Sequence, residues 1–135
     1  MTEQDAIRAA SENVEAYNTG NWERLKAAVA PDVTYDEVGG QRKLQGAEAF
    51  AQAYQGWKQA GPDGKGTITK AFAVGNTVSI EVTWTATNTG PMGSNPPTGK
   101  KWNVRGAQVV VLEGNKIKEL RQYFDMNTIM QQLRK

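Results

Sequence analysis

Arg121, Tyr123 and Asp125 alternate along Arg121-Gln122-Tyr123-Phe124-Asp125, so in an extended chain their side chains leave on one face. Together they could do acid–base chemistry, with Asp125 taking a proton, Tyr123 hydrogen-bonding a substrate oxygen and Arg121 a further substrate-binding candidate. At strand spacing Tyr123 stands about 7 Å from Asp125 and Arg121 about 13 Å, too far for a simple ion pair with the acid. After Asp125 the stretch Met126 to Leu133 has the apolar spacing of a short helix. Asp125 therefore has two possible roles. In a dry pocket its pKa rises towards that of a general base; at the helix start it is an N-cap. The segment by itself leaves both open.

Other chemistries are narrowed by what the chain lacks. It has no histidine and no cysteine, which excludes Ser-His-Asp and Cys-His catalysis, thiolate sites and an ordinary zinc site. No Asp-x-Asx-x-Asx-Gly loop is present for calcium. We expect no metal and no cofactor, with proton transfer falling to Asp, Glu, Lys or Tyr.

The 135 residues suit a single domain spanning 1–135. Sixteen basic and fourteen acidic residues give a net charge of +2, and the basic ones are scattered. Without a basic stripe we expect no nucleic-acid partner. No apolar run approaches the roughly 18 residues of a membrane span, and Thr2-Glu3-Gln4-Asp5 is unlike a secretory leader. A cytoplasmic location with no membrane partner is the expectation.

The elements that must position the reactive groups read as three helices followed by strands. Thr2 or Asp5 caps a helix carrying Ile7, Ala10, Val14 and Tyr17, stopped at Asn18-Thr19-Gly20. Asn21 caps a shorter one with Trp22, Leu25 and Val29, ended by Pro31. A third starts near Gly46 and carries Phe50, Tyr54 and Trp57. Strands are expected at Val33–Val38, Thr67–Val74, Thr77–Asn88, Lys101–Leu112 and Lys116–Asp125. The segment Thr89 to Gly99 is too rich in Gly and Pro to enter a sheet. The fold class is α+β, with helices covering one face of a curved antiparallel sheet.

A two-residue turn at Gly114-Asn115 pairs Leu112 with Ile117, Gln108 with Arg121 and Val104 with Asp125. One face then holds Trp102, Val104, Gln108, Val110, Leu112, Ile117, Arg121, Tyr123 and Asp125, apolar with a few polar groups, as small-molecule pockets are lined. The other face, with Val109, Val111, Leu120 and Phe124, is largely apolar too. That predicts a homodimer through the sheet.

Three segments carry a family resemblance: Gly46-Ala47-Glu48-Ala49-Phe50 through Trp57 to Pro62-Asp63, then Pro97-Thr98-Gly99-Lys100, then Gly114-Asn115-Lys116-Ile117 through Asp125 to Gln132-Leu133. In their order and spacing the chain resembles SnoaL-like polyketide cyclases of the nuclear-transport-factor-2-like superfamily. The resemblance implies a cone-shaped, cystatin-like α+β fold, its curved sheet wrapped on three N-terminal helices around a pocket, commonly dimeric. It also implies cofactor-independent, aldol-type ring closure of a small hydrophobic carbonyl compound, with the carboxylate at Asp125 as acid/base. The chain departs from the pattern where such cyclases often have His, at Ala86-Thr87-Asn88, and where they often have Trp, at Arg121. An alternative is a non-catalytic binding module of the same shape.

The same superfamily offers two further comparisons. Ketosteroid isomerase carries its base in a segment similar to Tyr35-Asp36-Glu37-Val38-Gly39, which would make Asp36 the base, but its oxyanion-binding positions fall near Asn13 and Ala107. Limonene epoxide hydrolase needs an Arg-x-Asp pair on a central strand, and Thr77 to Asn88 contains neither residue. Among the remaining candidates, Tyr17, Trp57, Trp84 and Trp102 would shape a pocket for a flat ring or simply fill a core, as would Tyr54. Asn88 would bind a substrate carbonyl or help its loop turn, and the Gly90 to Gly99 loop would be a lid or a connection.

Overall fold

The computed structural model describes residues 1–134. Thr2 and Asp5 form a reciprocal capping box that starts α1 (Glu3–Thr19), and Gly20 ends it in the left-handed region at φ 66°. Asn21 caps α2 (Trp22–Ala27). Val29 then opens β1 (Val29–Glu37) instead of extending α2 as expected. Pro31 falls where β1 loses regular register, between Val29 and Thr34, which is how a strand accommodates a missing N–H. The short, polar β2 (Arg42–Gln45), which has no alternation to announce it, precedes α3 (Ala47–Ala60). Long strands β3 (Lys65–Val74), β4 (Thr77–Thr87), β5 (Lys101–Glu113) and β6 (Lys116–Tyr123) follow, and α4 (Met126–Arg134) closes the chain.

The six strands form one curved sheet in the order β2-β1-β6-β5-β4-β3. The expected antiparallel pairing holds except that β1 runs parallel to β6, making the sheet mixed. Helices α1 and α3 cover its concave face, burying Val14, Tyr17, Phe50 and Tyr54 against Tyr35, Ile80, Val110 and Leu120. A smaller apolar cluster joins α4 to the end of the sheet through Ile129, Leu133, Trp102, Val104, Ala60 and Ala86.

The hairpin β5–β6 departs from the simple register, and this decides the site. Leu112 pairs with Ile117, but Val111 pairs with Glu119, so Lys118 is an extra residue in a β-bulge. A one-residue shift exchanges the two faces of a strand. Gln108 therefore faces Gln122, and Val109 faces Arg121. Leu120 and Gln122 are buried, whereas Tyr123 is exposed.

Among the described residues no helix is long and apolar enough to cross a membrane, and no group of acidic side chains could hold a metal ion.

Candidate functional site

Between α1, α3 and the sheet lies a cavity walled by Tyr17, Tyr35, Tyr54, Trp57, Trp84, Trp102 and Phe124, with Glu37, Val104, Gln122 and Ile129 completing it. Its volume is about 50 Å³, on a measure in which one water takes roughly 10–15 Å³. The rings pack edge to face: Trp57 meets Trp102 at 5.9 Å and Phe124 at 5.8 Å, and Tyr17 meets Trp84 at 5.3 Å. Such contacts fix the wall's shape at low entropic cost.

The carboxylate on this wall is Glu37, which the sequence reading passed over in favour of Asp36. Val33, Tyr35 and Glu37 alternate inward along β1, leaving Asp36 between them on the outer side, beside Lys43 and Arg121. Glu37 is 2% exposed. Its Oε2 accepts from the Tyr35 hydroxyl at 3.0 Å, Trp57 Nε1 at 3.0 Å and an Arg42 guanidinium N–H at 3.2 Å, and its Oε1 accepts from Arg42 Nε at 2.8 Å. The fork from half-exposed Arg42 supplies a counter-charge, and four donors match the acceptor capacity of a carboxylate. A side chain at Gly40 would collide with Glu37 Oε1, so the turn after β1 needs glycine at that close approach.

Beside Glu37 runs a buried polar chain. Asn13 Nδ2 donates to the Ala10 carbonyl at 2.7 Å and to Gln108 Oε1 at 2.9 Å. Its Oδ1 accepts from the Tyr54 hydroxyl at 2.7 Å and from Gln108 Nε2 at 2.9 Å. Gln122 Nε2 donates to the Tyr54 oxygen at 3.2 Å. Burial pushes the Tyr17 hydroxyl up to about 12 and holds those of Tyr35 and Tyr54 far above the ordinary phenol range, so all three remain donors at neutral pH.

The expected residues divide between this cavity and elsewhere. Tyr17, Trp57, Trp84 and Trp102 line it as anticipated. Asp125 does not. Its carboxylate is exposed and caps α4, accepting the Asn127 N–H at 3.1 Å and the Thr128 hydroxyl at 2.7 Å. It shares a surface groove with Thr83, Asn103 and Arg105, on the outward side of the sheet. Tyr123 is 40% exposed and Arg121 half-buried on that outer side, both turned away by the Lys118 bulge. Asn88 is buried but structural: it donates to the Ala60 and Gly90 carbonyls and accepts twice from Thr98, anchoring the Gly90–Gly99 loop.

A family model for SnoaL-like polyketide cyclases matches residues 7–133. No curated protein matches the chain. Similar solved structures include a candidate polyketide cyclase from Acidithiobacillus ferrooxidans, at 26% identity and TM-score 0.80, covering 96% of this chain and 94% of that one. Wild-type IdmH, a candidate polyketide cyclase from Streptomyces antibioticus, aligns at 20% identity and TM-score 0.84 over 96% and 99% of the chains. An LEH-like epoxide hydrolase from M. tuberculosis aligns at 20% and 0.77 over 97% and 90%. At such identities the last two show the fold alone.

Proposed function

The chain belongs to the SnoaL-like polyketide cyclase family, and on that footing we propose that it binds a small, largely apolar ring compound in the aromatic cavity. The observation that carries this is the convergence of Trp57, Trp84, Trp102, Tyr17 and Phe124 on one cavity around the buried Glu37. Aldol-type chemistry through Asp125 finds no support in the geometry, because that carboxylate is exposed and engaged by α4. Titration with phenol and toluene, followed by tryptophan fluorescence, tests the binding site. Saturable quenching that Trp57→Leu weakens is expected; equal response in both proteins, or none in either, would contradict it.

A second reading makes the protein a cofactor-independent C–H acid catalyst of the cyclase or isomerase type, with Glu37 as the base. It is favoured by the position of Glu37 on the cavity wall. To take a proton Glu37 must release one of its four donors. Proton–deuterium exchange at the α-carbons of cyclohexanone, followed by NMR, separates the two readings. Catalysis by the native chain that Glu37→Gln abolishes and Asp125→Asn keeps would establish the second.

The outer side of β5, with Ala107, Val109 and Val111 beside exposed Tyr123, offers the surface for a homodimer through the sheet. Light scattering on the eluted protein gives the oligomeric mass, and a monomer at micromolar concentration would exclude that assembly.

A further inference from the structure

Resting on that binding site, we propose that the compound it takes carries a hydroxyl or ring N–H, which donates a hydrogen bond to Gln122 Oε1. Gln122 is 5% exposed and lines the cavity, and its Oε1 accepts from no donor among the described residues. A buried acceptor without a partner is costly and rare in folded proteins. Among the described residues Gln122 Oε1 is the one fully buried side-chain polar atom left without a partner.

Which end of the Gln122 amide faces the cavity follows from the far end of the polar chain. The Ala10 carbonyl can only accept, so Asn13 must turn Nδ2 towards it. Asn13 Oδ1 is then left to receive the Tyr54 proton. With its one proton engaged, the Tyr54 oxygen can only accept from Gln122, which must offer it Nε2. Oε1 is therefore the free end. A backbone carbonyl on α1 thus sets the hydrogen-bond polarity of a cavity wall, through Asn13 and Tyr54.

The neighbouring groups point the same way. Glu37 and Gln122 are register partners across the parallel β1–β6 pair. The donors nearest to them, Tyr35, Tyr54 and Trp57, already donate to protein acceptors. With Glu37 already matched by its four donors, the group left open on this stretch of wall is the acceptor Gln122 Oε1, suited to a donor-bearing ring. The cavity's volume of about 50 Å³ falls well short of the roughly 150 Å³ of an apolar cavity that takes up benzene, so it has no room for a fused system and admits a single ring only as the wall gives way.

Phenol and toluene differ by the donor alone and serve as probes. Their dissociation constants are measured on the native chain and on Gln122→Leu; comparing the two ratios cancels each ligand's own cost of leaving water. The preference for phenol should fall about 10- to 100-fold in the variant, the worth of a buried hydrogen bond and its unpaired acceptor. As a check needing no variant, phenol and not toluene should move the Gln122 side-chain amide resonances of the native protein downfield. If both probes bind with an unchanged ratio and unmoved amide signals, the donor pairing is wrong while the binding site stands. If neither probe binds, the binding site itself fails and the pairing with it.

Discussion

Replacing Asp125 with alanine should lower stability by roughly 1 kcal/mol and leave binding in the cavity unchanged. The carboxylate accepts two hydrogen bonds at the start of α4, from the Asn127 N–H and the Thr128 hydroxyl. Loss of an N-cap costs about 0.5–2 kcal/mol. The exposed position keeps the figure from the upper end, because water replaces the lost acceptor. The helix should remain docked, since Ile129 and Leu133 stay buried against Trp102 and Val104, each worth about 1.5–3 kcal/mol. Asparagine caps as well as aspartate, so Asp125→Asn should stay within about 0.5 kcal/mol of the native protein. Urea denaturation measures the stabilities and tryptophan fluorescence the affinity for phenol. Native stability in Asp125→Asn combined with a tenfold loss of affinity, or of any α-proton exchange, would refute the reasoning by placing the acid against the ligand.

Other outcomes follow from the cavity wall and its charges. Glu37→Leu removes the acceptor shared by Tyr35, Trp57 and Arg42 and should cost about 3 kcal/mol in urea denaturation; a loss below 1 kcal/mol would show that the clamp is not structural. Tyr17, Tyr35 and Tyr54, three of the four tyrosines, have folded pKa values above the ordinary phenol value of 10, chiefly through burial. Their contribution to stability is whole below pH 10 and lost as pH climbs past it; absorbance at 295 nm should show these phenols ionising only with unfolding. The Thr87 N–H and hydroxyl hold the Asp63 carboxylate below its ordinary 3.8, and Arg24 holds Glu12 below 4.5. That stabilisation is present above those values and lost as pH falls below them, so Asp63→Asn should flatten the acid limb of the stability curve.

Helices α1 to α3 were legible because their signals are local: a cap residue, an apolar face of 3.6 periodicity and a Gly or Pro stop. So was the inward face of β5, where Trp102, Val104, Gln108, Val110 and Leu112 keep the two-residue spacing with half-buried Gly106 between them. The register of β6 was misread by one residue. Lys118 bulges, so the buried positions run Ile117, Leu120, Gln122, and strict alternation from Ile117 delivered Arg121, Tyr123 and Asp125 to the wrong side. The three-residue gap between Ile117 and Leu120 was the visible trace of that bulge. Glu37 was equally visible, as the third member of the run Val33, Tyr35, Glu37, but an acid among buried aromatics needs its partners to be recognised: Arg42 lies opposite it only once the polar β2 pairs back on β1, and Trp57 comes from α3. The parallel β1–β6 pair left no local signal, because its two strands are separated by most of the chain.

The claim that the aromatic cavity, and not the outer surface at Asp125, is where small molecules act can be tested by one titration. Phenol is added to isotope-labelled protein, and amide and indole N–H resonances are followed by NMR. The Trp57 and Trp102 indole signals and the Gln122 side chain should shift together with a single dissociation constant, while the Asn127 and Thr128 amides at the α4 cap stay still. Shifts confined to Asn127, Thr128 and their neighbours in the groove with Arg105, with the indoles unmoved, would contradict it.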